Sequence, residues 1–328
     1  MLGLKYWRFV YGAIYVCAST AFIIMLVLNA PSIATKAMSQ FDLEWAFGSW
    51  SKLTMGLIPL IGLWALLALL ERRFPAGAVK PASGWFLNLK LILFSFVLQP
   101  LLNVLLGVFL GYISSALGTG LIDLRLTPGT GIGRAVMAFL IWFFMSDFFF
   151  YWEHRFQHES FLWQLHKVHH LDEHVSAITA HRGHWLDGFF YYPVVIVPTA
   201  LLFKFDPLTG GTALGVISLF TVIWQTFFHA NLKVGFGGAS PLFVSPQLHR
   251  IHHSRLPEHR DKNFAGYFPI LDVVFGTYYH PRSNEYPPTG VHDEEDVRSF
   301  RESLFLPIRG WWRMFREWRS RHAITPGW

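Results

Sequence analysis

Stretches of apolar residues long enough to cross a bilayer set the first constraint on this chain. Residues 6–28, 53–70 and 91–113 each run for about 18 residues or more, the length that crosses roughly 30 Å of hydrocarbon as a helix. Residues 135–152 are as long but enclose Asp147, and residues 189–203 and 212–228 are shorter, joined through Lys204-Phe205-Asp206-Pro207. The expected fold is an all-α integral membrane protein: about four transmembrane helices, a short helical hairpin and a cytoplasmic helical cap. Composition agrees, because hydrophobic residues make up 52% of the 328 and charged residues 15%, against about 25% charge in soluble domains. That disfavours a soluble globular enzyme and excludes a disordered chain.

Charge placement orients the spans. Lys5 and Arg8 precede the first, Arg72, Arg73, Lys80 and Lys90 separate the second from the third, and seven arginines from Arg298 to Arg321 follow the last. The positive-inside rule puts both termini and the segments 153–188 and 229–328 in the cytoplasm, at a bacterial inner membrane or the endoplasmic reticulum. The net charge of +6 reads as attraction to anionic lipid head groups, with no nucleic-acid partner. Ile308, Trp311, Trp312, Phe315 and Trp318 share one face of a helical pattern with arginines opposite, an amphipathic helix for the membrane interface. The acidic run 293–296 reads as the start of the helix before it. Three regions result: membrane helices in 1–134, a catalytic region in 135–285 and a basic amphipathic tail in 286–328.

Twelve of the sixteen histidines lie between residues 154 and 253. His154 and His158 form HxxxH; His166, His169, His170 and again His249, His252, His253 form HxxHH. On a helix, residues at i, i+3 and i+4 share a face, so each motif points two or three imidazoles into one volume. About 0.04 HxxHH matches are expected by chance at this composition, and two occur. Neutral imidazole is the commonest metal ligand near pH 7. Eight histidines exceed the three or four that one zinc needs and imply two ions; His184 and His229 bring the candidate ligands to ten. The single cysteine, Cys17, excludes a thiolate zinc site or an iron–sulfur cluster.

Imidazole alone does not choose the metal. The zinc-protease pattern HExxH is absent, since Leu162 stands where its second histidine belongs. A site against a membrane meets acyl chains and isoprenoids, whose unactivated C–H bonds call for dioxygen activated on iron or copper. Alternatives from other classes are a di-zinc lipid hydrolase, a haem-binding membrane electron carrier and a proton-relaying transporter.

These motifs resemble the fatty acid hydroxylase superfamily, also called the sterol desaturase family. The resemblance covers about residues 145–280: Asp147-(x)3-Tyr151-Trp152-x-His154-Arg155-(x)2-His158, Leu165-His166-(x)2-His169-His170, the stretch ending at Asp187, His229-Ala-Asn231, Pro246-(x)2-His249-Arg250-Ile251-His252-His253, and Asp261-Lys262-Asn263-Phe264 through Asp272 to Thr277. It implies a membrane-embedded non-haem di-iron oxidoreductase that hydroxylates or desaturates a lipid, with O2 as co-substrate. Zinc is an expected replacement in isolated protein. It carries metal binding onto the eight motif histidines and onto His184 and His229. One departure is Lys233, which stands four residues after His229 where some members have a second histidine. Asp147, Tyr151, Asp187, Asn263 and Asp272 are the expected polar supports behind the ligands, Asp147 by accepting a ligand's spare ring N–H. With no His-Pro-Gly-Gly and no Gly-rich dinucleotide loop, the expected electron donor is a separate protein, of cytochrome b5 or ferredoxin type with its reductase.

Overall fold

The computed structural model describes residues 43–98, 121–123, 131–204, 219–292, 294, 296, 297 and 299–322. The apolar stretch 6–28, the far part of 91–113, and residues 205–207 of the expected hairpin turn lie outside them. Helices carry the described fold; the one sheet is a two-residue parallel pair, β1 (Ile122–Asp123) with β2 (Phe203–Lys204).

The apolar N-terminal segments form α1 (Leu43–Arg73) and α2 (Ala82–Leu98). Next comes α3 (Ile132–Gln157), then α4 (Ser160–His170). Within α3, Val136–Gln157 is the one helix among the described residues that is long and apolar enough to cross a membrane by the measures of length and hydropathy. His158 closes α3, and Glu159 opens α4 in extended backbone. That two-residue link folds α4 back against α3 and sets HxxxH opposite the first HxxHH.

The stretch 189–203 is not one helix. It divides into α5 (Asp187–Tyr191), a π turn (Tyr192–Ile196) and α6 (Val197–Leu202), all packed on α3. Pro198 sits in the first turn of α6, the helical position where a missing N–H costs nothing. α7 (Leu219–Phe228) ends just before His229. α8 (Pro246–His252) starts on a true cap: the Ser245 hydroxyl accepts the Leu248 N–H at 3.2 Å, with Pro246 in the first turn. α9 (Ile270–Phe275) stops at Gly276, whose φ of 74° is left-handed and open to glycine at little cost.

α10 (Phe300–His322) is the amphipathic helix, and it serves two surfaces. Trp311 stacks on Phe161 at 4.9 Å and donates its indole N–H to the Phe161 carbonyl at 2.8 Å, fixing α10 along α4. Ile308, Trp312, Phe315 and Trp318 remain exposed. The acidic residues before it do not start a helix: Glu294 pairs with Lys167 at 2.8 Å and Asp296 with Arg182, while 293 and 295 lie outside the described residues.

Among the described residues, apolar clusters hold these elements together, and Phe228, Val244 and Leu248 join α7 to α8. Tyr151, Trp152, Phe156, Leu162, Phe264 and Leu271 join α3 to α4 and α9. Trp64, Ile92, Ile178 and Leu232 join α1 and α2 to the loops beneath. Leu87, Leu91, Val168 and Leu171 seat α2 on α4. Beside this last cluster lies a buried ionic knot of Lys80, Asp172, Arg182 and Asp296. Burial alone would raise Asp172, but Lys80 and Arg182 overcome it and hold its carboxylate well below the usual range.

Candidate metal centre

Nine imidazoles meet in two adjoining groups. His154, His158, His166, His170 and His252 form one; His169, His229, His249 and His253 form the other, with ligand atoms inside each group within 4.8 Å of one another. Each HxxHH motif divides in the same way. Its i, i+4 pair serves one group, and its middle member crosses to the other: His166 and His170 against His169, His249 and His253 against His252. The groups touch, since the His170 and His253 rings stack at 4.4 Å.

Ring orientation is set from outside. His154 donates its Nδ1–H to the Phe264 carbonyl at 2.7 Å; His169 to Arg182, His229 to Gln225 and His252 to Lys262, each at 2.8 Å. Each of these bonds puts the proton on Nδ1 and turns an Nε2 lone pair inward. Two such lone pairs, on His169 and His229, face each other at 3.2 Å. His229 and His249 meet at 2.9 Å through Nε2, His249 and His253 at 3.0 Å, and His166 and His170 at 3.1 Å. The Nε2 atoms of His158 and His252 are buried with no hydrogen-bond partner. Converging lone pairs in a buried volume repel one another unless an electron-pair acceptor sits among them, so the donor set fits metal cations.

Burial keeps these rings neutral. It pushes His169 down to about 4, and burial followed by neighbouring imidazoles pushes His166, His170, His229, His249, His252 and His253 well down. Unprotonated imidazole is the ligating form.

The tenth expected ligand, His184, stands apart from both groups. Its Nε2 lies 3.3 Å from the Leu304 carbonyl on α10, and its Nδ1 accepts the Leu186 N–H at 3.3 Å. Among the supports, Asp147 does not touch a histidine. Its carboxylate accepts the N–H groups of Gly266, Tyr267 and Phe268 at 2.7–3.2 Å, because three successive amides without helix partners need an acceptor that deep. Asp272 likewise accepts from Phe264 and Ala265 N–H and the Thr277 hydroxyl, at 2.7–3.0 Å. Its hold on the ligands is indirect, through the peptide whose carbonyl orients His154. Burial pushes Asp272 up to about 6.

Tyr151 shares a hydrogen bond with Thr277 at 2.9 Å and accepts one from Arg155 at 2.8 Å. Asn263 is a turn residue, φ 58°, bonded to the backbone of Tyr279 and Leu248. Asp187 alone of the five faces a ligand, its Oδ2 lying 4.0 Å from His166 Nδ1; burial pushes it up to about 8.

Two supports go beyond those expected. Asp261 lies 3.4 Å from His158 Nδ1. Asn231 accepts from Gly77 and Arg250 and donates to the Gly77 and Ala78 carbonyls, tying the strand after His229 to the loop after α1. A sequence signal existed for the first: Asp261 and Asn263 are residues that tolerate left-handed backbone, spaced for a tight turn.

Residues 139–277 match the sequence profile of the fatty acid hydroxylase family. Among curated proteins, the alkylglycerol monooxygenase of Danio rerio is 34% identical over 137 residues, 40% of this chain and 28% of that protein. An ornithine lipid hydroxylase of Rhizobium tropici is 29% identical over 138 residues, 42% of this chain and 40% of that one. The lathosterol oxidase of Rattus norvegicus is 30% identical over 178 residues, 53% of this chain and 55% of that one. The matched part thus spans between 28% and 55% of these relatives' length. No solved structure matches.

Proposed function

We propose that this chain is a membrane-bound di-iron oxidoreductase that uses O2 and externally supplied electrons to hydroxylate or desaturate a lipid. The observation that carries the reading is the pair of His169 and His229 lone pairs, 3.2 Å apart, each fixed by a carbonyl behind it. Nine neutral nitrogens without a carboxylate among them suit two first-row transition-metal cations, and the expected lipid C–H chemistry favours a redox-active pair. His154, His158, His166, His170 and His252 would hold one ion; His169, His229, His249 and His253 would hold the other. A redox-active pair there supplies the dioxygen chemistry that an unactivated C–H bond requires. The residues' own part is to keep the lone pairs aimed and to stay unprotonated.

Relatives named as acting on alkylglycerols, ornithine lipid and lathosterol support a lipid substrate drawn from the bilayer. The wide apolar exposure of α1, α2, α3 and α7, including Ile58, Leu69, Phe86, Met137, Leu140 and Ile223, supports embedding by several helices. In this reading the centre lies on the cytoplasmic side, and the electron donor is a separate protein.

The test is metal analysis of protein produced with controlled iron supply, coupled to lipid profiling of a host with and without the gene. The expected result is two irons per chain and a lipid that gains one oxygen or loses two hydrogens, only when O2 is present. Zinc-loaded protein with undiminished turnover under anaerobic conditions would overturn the assignment.

A further inference from the structure

One of the two histidine groups borders a polar cavity that the other does not reach. A cavity of about 330 Å³ opens among Glu159, Arg255, Arg260 and Asp261, and His158, His170 and His252 are part of its lining. All three belong to the five-histidine group. No member of the four-histidine group lines it; there Phe228 covers the rings, 4.4 Å from His249 and 4.8 Å from His229. The walls carry Glu159, Arg255, Arg260 and Asp261, groups that hold water rather than acyl chain.

The rings of the five-histidine group are also held unequally. His154 and His252 rest on main-chain carbonyls deep in the fold. His158, in the cavity lining, has Asp261 behind it, on a side chain 60% exposed. That carboxylate draws the ring proton to Nδ1 and leaves the buried, unpartnered Nε2 facing the group.

Building on the di-metal reading, we propose that the two ions exchange unequally. The five-histidine group trades its ion with solvent through this polar opening. Asp261 is the positioning residue that retains that ion, by holding His158 in its ligating pose, and the four-histidine group, which this opening does not reach, releases its ion more slowly.

Asp261 offers a clean substitution. Its φ is 57°, a backbone region that asparagine also tolerates, so Asp261→Asn removes charge without straining the turn. The experiment loads the purified full-length chain in detergent with zinc, counts ions per chain, adds excess chelator and follows release with a zinc indicator. Wild-type protein should release two ions in two phases, and Asp261→Asn should speed the faster phase about tenfold, the low end for loss of a partner behind a ligand, leaving the slower phase unchanged. Ser160→Trp, at the exposed start of α4 where it borders the cavity, should slow the faster phase only. Release of both ions in one phase overturns the proposal, as does an Asp261→Asn variant that alters neither phase or both alike. Binding of fewer than two ions would instead strike at the di-metal reading itself.

Discussion

Asp147 shows how a single side chain can serve the centre without touching it. A buried carboxylate is retained only where its charge is matched by donors, and here the donors are three amides about 120 residues away in sequence. Bonds to a charged acceptor contribute about 1.5–3 kcal/mol each. Asp147→Asn offers fewer and weaker acceptor sites, so its melting temperature should fall by several degrees while metal content at low temperature stays near wild type. A variant that has lost metal already at low temperature, where it is still folded, would show that Asp147 acts on a ligand after all. His252→Ala should instead lose one of two ions, and turnover with it, because an i+3 histidine that crosses between groups has no neighbour to replace it. Elemental analysis decides it.

His181 is a half-buried imidazole outside both groups. Its Nε2 meets the Thr226 hydroxyl at 3.0 Å, and Trp64 lies against the ring. Burial pushes it down to about 4, whereas an unfolded histidine titrates near 6.5. The unfolded chain therefore binds the extra proton between those values, and the stability from keeping this ring neutral is complete above pH 6.5 and lost as pH falls toward 4. His181→Gln should accordingly narrow its stability deficit against wild type between pH 7 and pH 5, which matched thermal melts would reveal. A deficit constant across that range would contradict the assignment.

At the scale of elements, the histidine motifs were legible because helical spacing is a local property. His166, His169 and His170 must share a face of α4 whatever surrounds it. What spacing does not contain is the division of each motif between two groups, since that depends on where α8 is set against α4. The partners of Asp147 and Asp272 were not legible, because they are backbone amides, and no side-chain pattern marks a peptide that needs an acceptor. The stretch 189–203 reads by composition as one arm of a short helical hairpin, while Pro198 places a helix start inside it. α10 was legible in its amphipathic face but not in its docking, which turns on one indole and one carbonyl. Its two surfaces separate by mutation. Trp311→Ala should loosen α10 from α4 and cost roughly 3 kcal/mol or less, as for a partly buried aromatic. Trp312→Ser with Trp318→Ser should leave the melting temperature within a degree or two, yet expose the Arg309–Arg321 segment to trypsin in proteoliposomes. Equal protection of wild type and double variant would remove the interfacial role.

For the molecule as a whole, the site is a concentration of unfavourable terms that a pair of cations would reverse. Nine rings are dehydrated, held unprotonated and set with lone pairs opposed, and the helices that carry them are otherwise joined by modest apolar clusters. A ligand that binds only the folded chain stabilises it by RT ln(1 + [L]/Kd), about 4 kcal/mol at a thousandfold excess over Kd. For a chain above 200 residues each kcal/mol shifts the melting temperature by about 2–4 °C. Stripping the metal with chelator should therefore lower it by about 10 °C, and adding back iron under anaerobic conditions should restore it. The loss should be larger than that caused by any single substitution among the carboxylate supports, because metal binding ties α3, α4, α8 and the His229 turn to one another at once. Scanning calorimetry in detergent gives the comparison; a chelated protein that melts with the untreated one would mean that these imidazoles hold each other without an ion.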